Sequence, residues 1–274
     1  MPASESFAQR HERAAEVFSR FVPGVEPERV AASMERKLGA LGSFAFNAVG
    51  HMWSRPQLSR RDRSLLVISV LAAHARDEEL EVHTQVGLNH GLTRSEIEEI
   101  LLHVAAYAGF PAAMAASRHM DAAFCKAEGV GRIEGRTPAA QKSDEEREHD
   151  AADVWRTLNG LADDVDASVV HGNMVTHLGD VGDVAFQWAF GEIWSRPELT
   201  RRDRSLVVIT ILASFGLVAE LAFHVPAGLN HGLTRVEIEE ITTHLCLYAG
   251  IPRGVEGFRA TRAAFAKIDN QPTK

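Results

Sequence analysis

The chain has 274 residues, 45% of them hydrophobic, and a formal net charge of -8 at neutral pH. Its 37 acidic side chains outnumber 29 Lys and Arg, and no long basic stripe forms, so a nucleic-acid partner is excluded. Two cysteines, Cys125 and Cys246, stand far apart, which argues against a disulfide framework or a cysteine metal site, and no apolar run reaches membrane-spanning length. A cytoplasmic protein without a membrane partner is expected.

From the start of the chain, Met1 to Arg13 is polar and charged, without the apolar core of a signal peptide. Ala14-Ala15-Glu16-Val17-Phe18 returns as Ala151-Ala152-Asp153-Val154-Trp155, and Leu38-Gly39 returns as Leu178-Gly179. From Trp53-Ser54-Arg55-Pro56 to Ala122-Ala123-Phe124 the match to residues 194–265 is gapless, and more than half of the aligned positions are identical. A self-match of this kind means that one module was duplicated. The expected organisation is a first module over 8–125, a linker over 126–150 rich in glycine and charge, and a second module over 151–268.

Within each module the signals are helical. Ser59-Arg60-Arg61-Asp62 and Thr93-Arg94-Ser95-Glu96 have the N-cap pattern of a hydroxyl followed three residues later by an acid, as do their copies at Thr200 and Thr234. The near-continuous apolar run from Leu65 onward is too long for a strand. Asn89-His90-Gly91 supplies a helix stop, and Ile97, Ile100, Leu101, Val104 and Tyr107 recur at helical spacing. No period of two is sustained, so the fold class is all-α, as two tandem modules.

Glu79 and His83, repeated as Glu220 and His224, lie four apart and so share one helix face. A carboxylate beside an imidazole would raise its pKa and fix its tautomer, as proton transfer near neutral pH requires; the bland reading is a solvated surface pair. His103 and His244 lie on the next helix, either across a pocket from that pair or as hydrogen-bonded core histidines. His90 and His231 are read as helix caps. Arg-Arg-Asp-Arg at a helix start opposes the helix dipole; its Asp is read as the cap and its arginines as serving salt bridges or subunit contacts, with carboxylate binding by Arg63 or Arg204 as the other possibility. The module has no second ligand pair at helical spacing, so no metal is expected.

Taken together, Trp-Ser-Arg-Pro, Arg-Asp-Arg-Ser, Glu-x-x-x-His, Gly-Leu-Asn-His-Gly-Leu-Thr-Arg and His-x-x-x-Tyr-Ala-Gly-x-Pro resemble the carboxymuconolactone decarboxylase family, once in each half. The resemblance implies AhpD-like helical modules assembled in rings, here a homotrimer of two-module chains forming a pseudo-hexamer. It also implies cofactor-free loss of carbon dioxide from 4-carboxymuconolactone or a related small-molecule lactone in aromatic-acid catabolism. On that basis Glu79, His83, His103, Glu220, His224 and His244 are catalytic candidates, and Arg63, Arg204, Tyr107 and Tyr248 are substrate-binding ones. The thiol-peroxidase branch of the family needs a Cys-x-x-Cys where this chain has Arg76 and Glu79, or Leu217 and Glu220. Other chemistries on an activated carbonyl (lactone hydrolase, isomerase, cyclase) stay open, as does a non-catalytic assembly module, which would bury these residues without a pocket.

Overall fold

The computed structural model describes residues 5–134, 136, 138–162 and 165–270. The first half consists of α1 (Phe7–Phe21), α2 (Pro27–Leu38), α3 (Ala40–Trp53), α4 (Arg60–Ala73), α5 (Asp77–Asn89), α6 (Arg94–Ala108) and α7 (Phe110–Glu128). The second half repeats it as α8 (Asp144–Asn159), α9 (Ala167–Leu178), α10 (Asp180–Val184) running into a π-helical stretch (Ala185–Trp194), α11 (Arg201–Phe215), α12 (Val218–Asn230), α13 (Arg235–Tyr248) and α14 (Ile251–Asp269). Among the described residues there is no strand, and no helix is long and apolar enough to cross a membrane. The ends of α7 and α8 both extend into the span expected as linker.

The caps fall where the hydroxyls predict, with one correction. Ser59 and Thr200 accept the backbone N–H of Asp62 and Asp203, starting α4 and α11. The aspartates themselves do not cap. Each reaches across to the other half, where Arg202 binds Asp62 at 3.1 Å and Arg61 binds Asp203 at 2.9 Å. At the next helices Thr93 with Glu96, and Thr234 with Glu237, form full capping boxes.

Helices α4 and α11 are buried along almost their whole length, which explains why their apolar residues show no single face. They pack against each other, α6 packs on α11, and α13 packs on α4. The two halves therefore share one continuous hydrophobic core. The duplication is intertwined at its centre, and this brings residues of one half beside the site residues of the other.

The halves differ most in one helix. Phe46 and Gly50 of α3 correspond to Phe186 and Gly191, and the second half has one residue more between them. The 14 residues of α3 are regular helix, whereas the counterpart continues 5 residues of α10 with 10 in π-helical geometry. A π turn takes up the added residue without breaking the helix, and so Trp53 and Trp194 end in matching places.

Each half also holds a tight corner. Gly39 (φ 59°) and Gly179 (φ 60°) join consecutive helices, and beyond each corner a glycine lies against the preceding helix. A Cβ on Gly42 would lie 2.2 Å from the Met34 carbonyl oxygen, and one on Gly182 would lie 2.3 Å from that of Met174. Gly42→Ala is therefore expected to cost about 1–3 kcal/mol of stability, because the obstructing atom is backbone and the corner must open. Chemical denaturation measures it, and an unchanged midpoint would contradict the close approach.

Candidate active site

At the centre of each half sits an arginine without access to water. Arg63 points from α4 into the other half, where its Nη1 donates to Nδ1 of His244 at 2.8 Å and its Nη2 lies 2.9 Å from Glu240. The same Nη2 donates to the carbonyl of Arg55, whose own guanidinium holds Glu240 at 2.7 Å. Arg204 mirrors it, donating to Glu99 at 3.1 Å, to Nε2 of His103 at 2.9 Å and to the carbonyls of Ile193 and Arg196. Burial pushes both guanidinium pKa values down and the facing glutamate pushes back, but an arginine stays cationic in a protein.

A guanidinium only donates, so the ring nitrogens facing it accept, and His103 and His244 are neutral. Burial first, and then the neighbouring cation, holds both rings well below the usual histidine pKa. Both are fully buried.

Next to Arg204 and His103 lies a cavity of about 520 Å³, built from both halves. The second half contributes Glu220, Phe223 and His224 from α12, Trp155 from α8, Met174 and Leu178 from α9, and a wall of α10 and π-helical residues that includes Trp188 and Phe190. The first half contributes Ala105, Ala106 and Tyr107 from α6, with Phe110. The Tyr107 hydroxyl accepts a hydrogen bond from the indole N–H of Trp194 at 3.0 Å, which leaves its own proton free to donate. Its ring meets His224 edge-on at 5.5 Å, and His224 stacks on Trp194 at 6.2 Å. The first half has the mirror arrangement: Trp53 donates to Tyr248 at 3.0 Å, and Tyr248 meets His83 at 5.3 Å.

The expected Glu–His pairing needs correcting. Among the described residues no hydrogen bond or ion pair joins Glu79 to His83 or Glu220 to His224, and both glutamates are exposed while the histidines turn inward. Instead of being raised, the pKa of His83 falls to about 4 and that of His224 to about 3, chiefly through burial and then through a neighbouring histidine. Four residues on a helix give a shared face. They do not give a shared depth. The second-half ring is the deeper of the two, as its apolar flanks predict, but Glu220 stays at the solvent edge.

Of the sequence candidates, Tyr107, Glu220 and His224 line the cavity; in the first half His83 meets Tyr248, and Glu79 is exposed on the same helix as His83. Arg63, Arg204, His103 and His244 lie behind these walls and face none of the cavity. His90 and His231 cap α5 and α12 and bond Ser64 and Ser205. Sequence reasoning did not single out Trp53 and Trp194. Their Trp-Ser-Arg-Pro motif is visible, yet their tyrosine partners lie in the opposite half, where spacing gives no guide.

The model of the carboxymuconolactone decarboxylase family matches residues 40–122 and 179–263, one match over each half of this arrangement. The chain belongs to the carboxymuconolactone decarboxylase family. Proteins similar to it include the 4-carboxymuconolactone decarboxylase of Acinetobacter baylyi (strain ATCC 33305 / BD413 / ADP1), 44% identical over 88 residues, which is 32% of this chain and 66% of the relative. Another is the nitrosuccinic acid decarboxylase of Metarhizium robertsii (strain ARSEF 23 / ATCC MYA-3075), 34% identical over 76 residues, 28% of this chain and 53% of the relative. The match thus spans under two thirds of the length of each.

Two outcomes test this arrangement. Glu240→Ala leaves Arg63 as a buried charge without its carboxylate and should cost about 3–5 kcal/mol, read by urea unfolding; a loss below about 1 kcal/mol would disprove the pairing. The lowered histidines set a pH dependence. Their stabilisation is complete above the ordinary value of 6.5 and is lost as pH falls toward the folded values of about 4 and about 3, because only the unfolded chain takes up protons in that window. Melting temperature should fall steadily from pH 7 to pH 5, with the buried His224 alone contributing up to about 1.4 kcal/mol per pH unit. A flat calorimetric profile would show that the rings are not held neutral.

Proposed function

We propose that this protein is a cofactor-free decarboxylase acting on 4-carboxymuconolactone or a related carboxylated lactone, and so a carboxy-lyase. The carrying observation is a cavity in which a buried imidazole and a phenol with a free proton converge at a largely apolar wall. The decarboxylase names of the relatives point the same way. A non-catalytic assembly module would need no such opening.

In this reading the bond between the lactone carbon and the carboxylate breaks, carbon dioxide leaves, and the electron pair moves into the conjugated carbonyl as a dienolate. The Tyr107 O–H donates to the oxygen where that charge develops, and an apolar surround strengthens the interaction. Burial keeps the His224 ring neutral. A substrate carboxylate next to it supplies the missing counter-charge, so the ring takes up a proton on binding and delivers it to carbon. Glu220 attracts that proton from the mouth of the cavity. Glu79, His83 and Tyr248 form the corresponding set in the first half, and Arg63, Arg204, His103 and His244 act by fixing the helices that present these groups, with no electrophilic part for the two histidines. The chain acts in the cytoplasm, in aromatic-acid catabolism, as a trimer of two-module chains. Exposed Leu38, Leu41 and Phe44 support such assembly.

Carbon dioxide release from a panel of carboxylated lactones tests the activity. With the best of them, His224→Ala should lower kcat roughly 100-fold to 10,000-fold, and more than His83→Ala does. Tyr107→Phe should cost about 100-fold or more. A His224→Ala enzyme at full rate would end this reading. Light scattering that gave a stable monomer at micromolar concentration would end the trimer.

A further inference from the structure

The residue by which the second half exceeds the first in its third helical segment is a tryptophan on the cavity. Phe46-Asn47-Ala48-Val49-Gly50 aligns with Phe186-Gln187-Trp188-Ala189-Phe190-Gly191, and pairing the alanines leaves Trp188 without a first-half counterpart. The helix takes it up in π geometry, an uncommon form that is frequent at functional sites. Trp188 is nonetheless 57% exposed, so core packing does not account for it. Its ring meets Phe110 of the first half edge-on at 6.0 Å, and both side chains border the cavity. Phe110 is itself 52% exposed. Two large apolar rings from opposite halves thus flank the cavity on its solvent side.

Another part of the wall is also more aromatic than its first-half counterpart. Trp155 stacks on Phe223 at 5.6 Å and meets Phe190 at 5.8 Å, where the first half has Phe18, Val82 and Val49. The reacting groups lie where the Tyr107 ring meets His224. A carboxylated lactone is polar along most of its edge, so it suits Tyr107 and His224 and gains little from aromatic rings. An apolar substituent on the same molecule would cover those rings, and removing both surfaces from water is favourable.

We propose that Trp188 is a specificity-determining residue: with Phe110 it binds an apolar, ring-sized substituent of the substrate while the carboxylated end lies at Tyr107 and His224. This rests on the cavity being the active site, and it narrows the substrate class to carboxylated lactones that carry such a substituent, dicarboxylates included. Titration calorimetry on the full chain with succinate and phenylsuccinate tests it without requiring turnover, because both have two carboxylates and they differ by one phenyl ring. Phenylsuccinate should bind at least about tenfold more tightly than succinate. Trp188→Ala should reduce that ratio to about threefold or less, whereas Trp188→Phe, which keeps an aromatic ring, should hold it at about fivefold or more. Phe110→Ala removes the other side of the contact without touching the π-helical stretch and should lower the ratio as Trp188→Ala does. Ile251→Ala, at the position of Phe110 in the other repeat, should leave it within about twofold. Circular dichroism and the melting temperature establish that the variants are folded. Equal binding of the two diacids, no binding of phenylsuccinate, or a preference that survives both Trp188→Ala and Phe110→Ala would each overturn the proposal. A preference that depends on Trp188, without carbon dioxide release from any lactone, would instead remove the decarboxylase reading and leave the binding site standing.

Discussion

Two guanidinium groups without access to water hold the molecule together. Arg63 and Arg204 each leave their own half to meet a glutamate and a histidine of the other. A buried charge is tolerable only when its partners are complete, so each half is committed to the other's α6 or α13. Replacing such a cluster by apolar residues could be no less stable, but it would no longer fix which surfaces meet. The exchange of arginines sets the register in which α4 packs on α11, and the rest of the architecture follows from that register.

The site depends on the same exchange. The helix that carries Glu99 and His103 to Arg204 also carries Tyr107, one turn beyond His103, to the indole of Trp194 and the ring of His224. A surface of one half thereby becomes a wall of the other half's cavity. Tyr107 donates into that cavity because Trp194 has already taken the acceptor side of its hydroxyl. The order runs from salt bridge to helix register to hydrogen-bond polarity, and only then to chemistry.

Against this near-symmetry, small differences make the two sites unequal. One added residue converts the end of a helix to π geometry, two alanines stand where the other half has Cys246 and Leu247, and Phe223 replaces Val82. None of these disturbs the ion clusters, whose residues are identical in the two halves. Duplication leaves a copy that is free to change wherever the shared core does not depend on it, and the cavity wall is such a place.

Much of this was legible in the sequence. Helical spacing and hydroxyl caps give an all-α chain, self-similarity gives the duplication, and the slipping offset before Trp53 announces the added residue that the π-helical stretch absorbs. His224 reads as the deeper ring from its apolar flanks. Other features were illegible for one reason: two copies with the same motifs present the same candidate partners, and spacing cannot tell whether Tyr107 serves His83 or His224, or whether Arg63 meets Glu99 or Glu240. The i, i+4 rule sets Glu220 and His224 on one face, yet their separation into solvent and interior depends on where the neighbouring helices lie. Local propensity and periodicity are properties of the chain and can be read along it. Partner choice and depth of burial come from packing α4 against α11, and only the tertiary structure decides them.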